Sequence, residues 1–248
     1  MVRDFSKEKF DIIIQAGQSN SEGCGIGDAS NPYEPNDSVW FLNNYFTISQ
    51  ADEWYDWRRN HTTTTFSLSF AREYIQKGRL KDGRKLLILR AAVGGTGFSD
   101  KRWGLQDDLF IMMTEMIKTS LALNPENRLV ALLWHQGETD AQNAASYDMH
   151  FKNLSALVNA VRTAYSRPDL PFVAGDFVHH WKLKNIDACE PVAEAVKDVC
   201  ESIGNGRFVE TSGLLSNDQA VGDGDDIHFC RESLYELGRK YFDAFESI

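Results

Sequence analysis

The chain has 248 residues, a length that fits one large domain or two small ones. Hydrophobic residues make up 42% and aromatics 12%, enough for a proper core, so a folded globular protein is expected. The net charge of -10 argues against nucleic acid or an anionic membrane as the main partner, because both would be repelled.

The first residues are charged and run straight into an apolar stretch, with nothing long enough for a signal peptide or a membrane span. The four cysteines, Cys24, Cys189, Cys200 and Cys230, are far apart and form no CxxC pair. They suit neither a zinc framework nor a disulfide scaffold, and they point to a reducing, cytoplasmic setting.

Residues 10–16 read as a first, fully buried strand that stops at Gly17-Gln18-Ser19-Asn20. Residues 38–42 read as a second strand, reached through a loop with two prolines. Residues 43–61 show no clean period and read as a long surface excursion carrying Trp54, Tyr55 and Trp57. A helix is expected over 65–77, a buried strand over 85–92 running into Gly94-Gly95-Thr96-Gly97, and an amphipathic helix over 105–123. Residues 128–134 form the next strand and end at His135-Gln136-Gly137-Glu138. A helix over 146–165, a strand over 170–175, a helix over 188–203, a short strand over 207–210 and a final helix over 232–246 complete the pattern.

Strand and helix alternate throughout, and continuous apolar strands imply a parallel sheet covered on both faces. No linker, repeat or low-complexity tract divides the chain, so residues 1–248 are expected to form a single domain. Right-handed crossovers bring every strand-to-helix loop to one rim, which gathers Ser19, Gly95, Gln136 and the segment holding Asp225 and His228. Taken alone, Ser19 is equally readable as a helix cap or a phosphate-binding hydroxyl; the other three polar blocks favour a nucleophile. The Gly-x-Ser-x-Gly pattern is not met, since Ser21 stands where its second glycine belongs.

Gly17-Gln18-Ser19-Asn20, Gly94-Gly95-Thr96, Trp134-His135-Gln136-Gly137-Glu138 and Asp225-Asp226-Ile227-His228 resemble the SGNH hydrolases. More narrowly they are similar to the branch holding sialate O-acetylesterases and carbohydrate esterase family 6 acetylxylan esterases. The likeness runs from about residue 12 to the final helix. It implies a three-layer α/β/α sandwich with a central, mostly parallel, flavodoxin-like sheet. It further implies a serine esterase that removes O-acetyl groups from a carbohydrate, needing no metal or other cofactor. In that reading Ser19 attacks the ester, His228 takes its proton and Asp225 orients the imidazole. The oxyanion is expected to be held by the amides of Ser19 and Gly95 and the carboxamide of Gln136. Glu138 is a possible supporting acid.

Two departures stand out. Ser21 replaces a methionine usual in the first block, which is expected to widen or wet the pocket floor. Gln136 stands where the broader superfamily has asparagine, which favours the carbohydrate-esterase branch. Gln18, Asn20, Trp54 and His180 are candidate substrate contacts. Trp54 equally suits an anchor for the long loop, and Arg58, Arg59 and Arg102 read as solvated arginines or partners of a sugar carboxylate. His179 and His180 follow a strand and, on extended chain, point to opposite faces, so a shared metal is not expected. The rival readings are an SGNH thioesterase or lysophospholipase-type lipid hydrolase, and a carbohydrate-binding protein without turnover. The expected partner is an acetyl ester substrate, small or oligosaccharide, with no nucleic acid and no membrane; nothing in the sequence sets the oligomeric state.

Overall fold

A computed structural model describes residues 4–248. The strands are β1 (Lys9–Gly17), β2 (Val39–Asn43), β3 (Ile48–Gln50), β4 (Trp54–Asp56), β5 (His61–Thr63), β6 (Arg84–Arg90), β7 (Arg128–His135), β8 (Phe172–Gly175) and β9 (Gly206–Val209). The helices are α1 (Ser19–Glu22), α2 (Phe66–Gln76), α3 (Asp108–Ala122), α4 (Glu138–Gln142), α5 (Tyr147–Ala164), α6 (His179–Lys184), α7 (Ile186–Ser202), α8 (Asn217–Val221) and α9 (Arg231–Glu246).

Seven strands form one sheet in the order β3-β2-β6-β1-β7-β8-β9, and only the edge pairing of β3 with β2 is antiparallel. From β1 the chain crosses to β2 and the edge strand β3, comes back to β6 beside β1, and then passes to the other side through β7, β8 and β9. That reversal makes the carboxyl end of β1 a topological switch point, where open α/β sheets place ligands.

Successive residues of β1 feed opposite faces. Ile13 joins a core with Phe66, Phe70, Tyr241 and Phe242, from α2 and α9. Phe10, Ile12, Ile14 and Ala16 join a second core with Met113, Met116, Leu154 and Leu157, from α3 and α5. A strand buried on both faces reads as a largely apolar run, and β1 does so except at Lys9, Asp11 and Gln15. The resulting three-layer sandwich matches the expectation from the alternating pattern.

One charge interrupts the first core. Asp11 is fully buried, and Arg84 Nε at 2.6 Å, Arg128 Nε at 2.7 Å and the Tyr74 hydroxyl at 2.9 Å all donate to it. It lies toward the amino end of β1, away from Ser19.

Two segments differ from the sequence reading. The excursion after β2 is not irregular throughout: it contributes the edge strand β3 and a separate two-stranded hairpin of β4 and β5. These strands have three residues each, too few to show a period. His179 and His180 lie in α6 rather than on extended chain, so the argument from opposite strand faces does not apply to them.

Candidate active site

The position of Ser19 follows from pairing at the sheet's centre. Gly17, the last residue of β1, sits opposite His135, the last of β7. Its φ is +125°, and a Cβ there would lie 2.1 Å from the His135 carbonyl oxygen, so only glycine permits this approach. The Gln18 amide then donates to that same oxygen at 2.9 Å, and the chain turns into α1 with Ser19 as its first residue. On the other flank the amides of Ala91 and Val93 donate to Gln15 and Gly17 at 2.9 and 3.0 Å. This carries the β6 strand end past β1 and brings the 94–99 loop beside Ser19.

His228 arrives from a segment more than 200 residues further along the chain. α8 opens with a reciprocal cap, in which the Ser216 hydroxyl accepts from the Gln219 amide and the Gln219 carboxamide accepts from the Ser216 amide. The Asn217 amide donates to the His228 carbonyl and the Asp218 amide to the Asp225 carbonyl, both at 2.9 Å. The acidic turn 222–226 is thereby held against α8, and His228 is presented to Ser19.

Ser19 Oγ lies 2.9 Å from His228 Nε2, and His228 Nδ1 lies 2.8 Å from both carboxylate oxygens of Asp225. The Asn217 carboxamide donates to Asp225 Oδ2 at 3.0 Å, and Arg59 Nη1 stands 3.6 Å from the same atom. Burial pushes the Asp225 carboxyl up. The hydrogen bond and charge of His228, with Asn217 and Arg59, outweigh that and hold it below the ordinary carboxylate range. Such a relay can move the serine proton to the imidazole while the acid stabilises the imidazolium.

Glu138 does not reach His228. Its Oε1 accepts from Asn20 Nδ2 at 2.6 Å, while Oε2 is buried without a hydrogen-bond partner. Burial raises its pKa above the ordinary glutamate value, against the pull of the Asn20 hydrogen bond. His135 Nε2 is 4.0 Å from Glu138 Oε1, and burial pushes the His135 imidazole down to about 3, so it is neutral near pH 7. The imidazole's other nitrogen, Nδ1, lies 2.9 Å from the Tyr241 hydroxyl, which itself donates to the Trp134 carbonyl.

The expected oxyanion donors divide. Ser19 opens α1, so its amide has no acceptor within the helix. Among the described residues nothing accepts from the Gly95 amide, and Gly95 has φ +68°, where glycine is favoured. Gln136, the third expected donor, has a buried carboxamide whose Nε2 faces three acceptors, Asp140 Oδ2 at 2.9 Å and Gln18 Oε1 and Thr96 O at 3.2 Å. Two N–H bonds among three acceptors leave none directed at a substrate in this conformation.

The substrate contacts are corrected as well. Gln18 is almost wholly buried, and its Oε1 also accepts from the Thr139 amide at 3.1 Å, which ties α1 to the start of α4. The Asn20 carboxamide donates to the Ile227 carbonyl at 3.0 Å and accepts from the Phe229 amide at 3.0 Å. Trp54 stacks on the Arg90 guanidinium at 4.0 Å and packs against Gly23, where an added Cβ would come within 2.7 Å of its ring; it anchors the loop. His180, half-buried on α6, has no hydrogen bond to the Ser19–His228–Asp225 group. Ser21 is fully buried and donates to the Ala16 carbonyl at 3.0 Å, so it borders no pocket floor. Arg59 backs Asp225, and Arg102 pairs with Asp108 at 2.8 Å.

The sequence reading passed over Asn217, Glu22, Asp140 and His150. Asn217 had a visible signal, the Ser-x-x-Gln cap that opens its helix. Asp140 had a weaker one, its place four residues after Gln136.

A sequence profile of the family described as carbohydrate esterase, sialic acid-specific acetylesterase matches residues 9–247. A curated relative from Escherichia coli K12, a probable 9-O-acetyl-N-acetylneuraminic acid deacetylase, is 30% identical over 88 residues, 33% of this chain. The matched stretch spans 27% of that relative's length. The fold is shared with the crystal structure of NanS, at a TM-score of 0.80 and 18% identity over 97% of this chain and 98% of that one. It is also shared with a protein from Arabidopsis thaliana, at a TM-score of 0.75 and 21% identity over 96% of this chain and 98% of that one. The matched profile covers nearly every described residue, from the first strand to the last helix, and the chain belongs to the sialic acid-specific acetylesterase family of carbohydrate esterases.

Proposed function

We propose that the protein is a serine esterase that removes O-acetyl groups from a sialic acid or a related saccharide. The observation that carries this reading is the continuous hydrogen-bonded relay from Ser19 through His228 to Asp225, in a chain of this family. A serine hydroxyl is a weak nucleophile until a positioned base removes its proton. Here Nε2 takes the Ser19 proton as Oγ attacks the acetyl carbonyl, and Asp225 stabilises the charged ring. The amides of Ser19 and Gly95 hold the oxyanion. The imidazolium then gives its proton to the departing sugar hydroxyl, leaving acetyl-Ser19. Water, deprotonated by the same nitrogen, releases acetate and restores the enzyme.

The family description and the name of the Escherichia coli relative support O-acetylated N-acetylneuraminic acid as first substrate, ahead of acetylated xylan. Cys24, Cys189, Cys200 and Cys230 are all unpaired, which supports work in a reducing compartment such as the cytoplasm.

The test is acetate release from O-acetylated N-acetylneuraminic acid, alongside p-nitrophenyl acetate and longer acyl esters, with wild type and Ser19→Ala. Loss of turnover in Ser19→Ala and preference for acetyl are expected. Unchanged turnover in the variant ends the nucleophile assignment, and preference for long acyl chains favours a lipid hydrolase.

A further inference from the structure

The 94–99 loop, which carries Gly95, hangs between two carboxylates. At its start the Gly94 amide donates to Glu22 Oε2 at 2.8 Å. At its end Asp140, fully buried on α4, accepts from the Phe98 amide at 3.1 Å and the Ser99 amide at 2.7 Å. Asp140 also accepts from Gln136 Nε2, and the same nitrogen is in range of the Thr96 carbonyl and of Gln18, the residue before Ser19. An unbroken set of hydrogen bonds therefore joins the Gly95 loop to the nucleophile's loop, with Asp140 at its centre.

The contact is close. A Cβ on Gly97 would lie 2.6 Å from Asp140 Oδ1. His150, buried on α5, brings Nδ1 to 3.2 Å from Asp140 Oδ2. Burial pushes the Asp140 carboxyl up, yet His150 and Ser99 hold it well below the ordinary carboxylate range. The amides and the carboxamide around Asp140 all donate, and an ionised carboxylate, which only accepts, satisfies them together.

We propose that Asp140 is a positioning residue for the esterase reaction, holding the Gly95 amide in register with Ser19 through the 94–99 loop and Gln136. The proposal rests on the serine esterase reading above. Oxyanion donors act only at hydrogen-bonding distance from the developing charge, and losing one costs about 10²- to 10³-fold in rate. A loop displaced by about 1 Å forfeits much of that.

Steady-state hydrolysis of p-nitrophenyl acetate, with fluorophosphonate labelling of Ser19, tests it in wild type, Asp140→Asn and Gly97→Ala. Asp140→Asn keeps the volume but places a donor among donors; Gly97→Ala keeps the charge and pushes the loop away. Each is expected to lower kcat about 10²-fold and to slow labelling in proportion. KM should stay within about threefold, the pattern of an interaction made in the transition state. The pH profile of kcat/KM should not move, because neither His228 nor Asp225 is hydrogen-bonded to Asp140, Gln136 or the loop. A folded Asp140→Asn or Gly97→Ala with wild-type kcat overturns the proposal, as does a lowered kcat with a displaced pH profile. If Asp140→Asn does not fold, Gly97→Ala decides alone. Wild-type protein inert toward both ester and fluorophosphonate removes the esterase reading, and this proposal with it.

Discussion

Asn20 grips the chain on both sides of His228: its carboxamide donates to the carbonyl before the histidine and accepts from the amide after it, each at 3.0 Å. The residue next to Ser19 thus fixes the height of the His228 imidazole. The third contact, to Glu138 Oε1, locks the amide's orientation.

Replacing Asn20 with Ala removes all three bonds and leaves buried groups unpaired. A loss of about 2 kcal/mol is expected, since each orphaned buried group costs about 1–3 kcal/mol. A fall in kcat of about 10- to 100-fold is expected as His228 loses its fixed distance from Ser19. Denaturant unfolding and esterase kinetics on the same preparation check both.

The two carboxylates near the site should separate cleanly. Asp225→Asn keeps the shape but no longer stabilises the imidazolium, and kcat is expected to fall about 10⁴-fold. Glu138→Gln leaves an oxygen to accept from Asn20, and the loss should stay within about tenfold. Equal losses in kcat for the two variants would show that Glu138 acts on the imidazole.

Asp11 links stability to pH. Burial raises its carboxyl, but Arg128, Arg84 and Tyr74 prevail, so in the folded protein it lies below its ordinary value. The unfolded chain therefore binds this proton more readily. The contribution is complete above the unfolded value near pH 4 and is lost as pH falls through the lower folded value. Asp11→Ala should cost about 3 kcal/mol near pH 7, the scale for breaking a buried ion pair. The gap from wild type should narrow in unfolding measurements taken below pH 4.

Gly238 governs how near α9 comes to α2. A Cβ there would lie 2.0 Å from both the Phe66 carbonyl oxygen and Ser69 Oγ. Gly238→Ala should destabilise by about 1–3 kcal/mol through overpacking. Because α9 follows His228 directly, kcat should fall as well; thermal unfolding and kinetics report the two effects.

Much of this was legible in the sequence. The strands of the sheet are apolar runs closed by glycine or polar blocks, a pattern that burial on both faces imposes. Ser19, His228 and Asp225 were legible because each sits at a turn where its side chain is free of helix and strand patterning. Gln136 and Asn20 make contacts to neighbouring loops that the sequence did not show. A side-chain amide in a motif looks the same whether it meets a substrate or another loop, and only tertiary contact decides. Asp140 carried only the weak signal of its spacing from Gln136, and His150 none, because a buried polar residue on a short or amphipathic helix looks like a solvated one. The hairpin of β4 and β5 escaped because three-residue strands carry no period.

Ser19 and His228 lie 209 positions apart and meet through the hold that Asn20 and Asn217 keep on the segment around His228. A nascent chain emerging from the ribosome displays its nucleophile early and its base late. Until the 217–229 segment docks beside Ser19, the serine lacks the imidazole that the proposed mechanism needs. Under the proposed mechanism a translation product stopped before residue 228 should be silent in any ester assay.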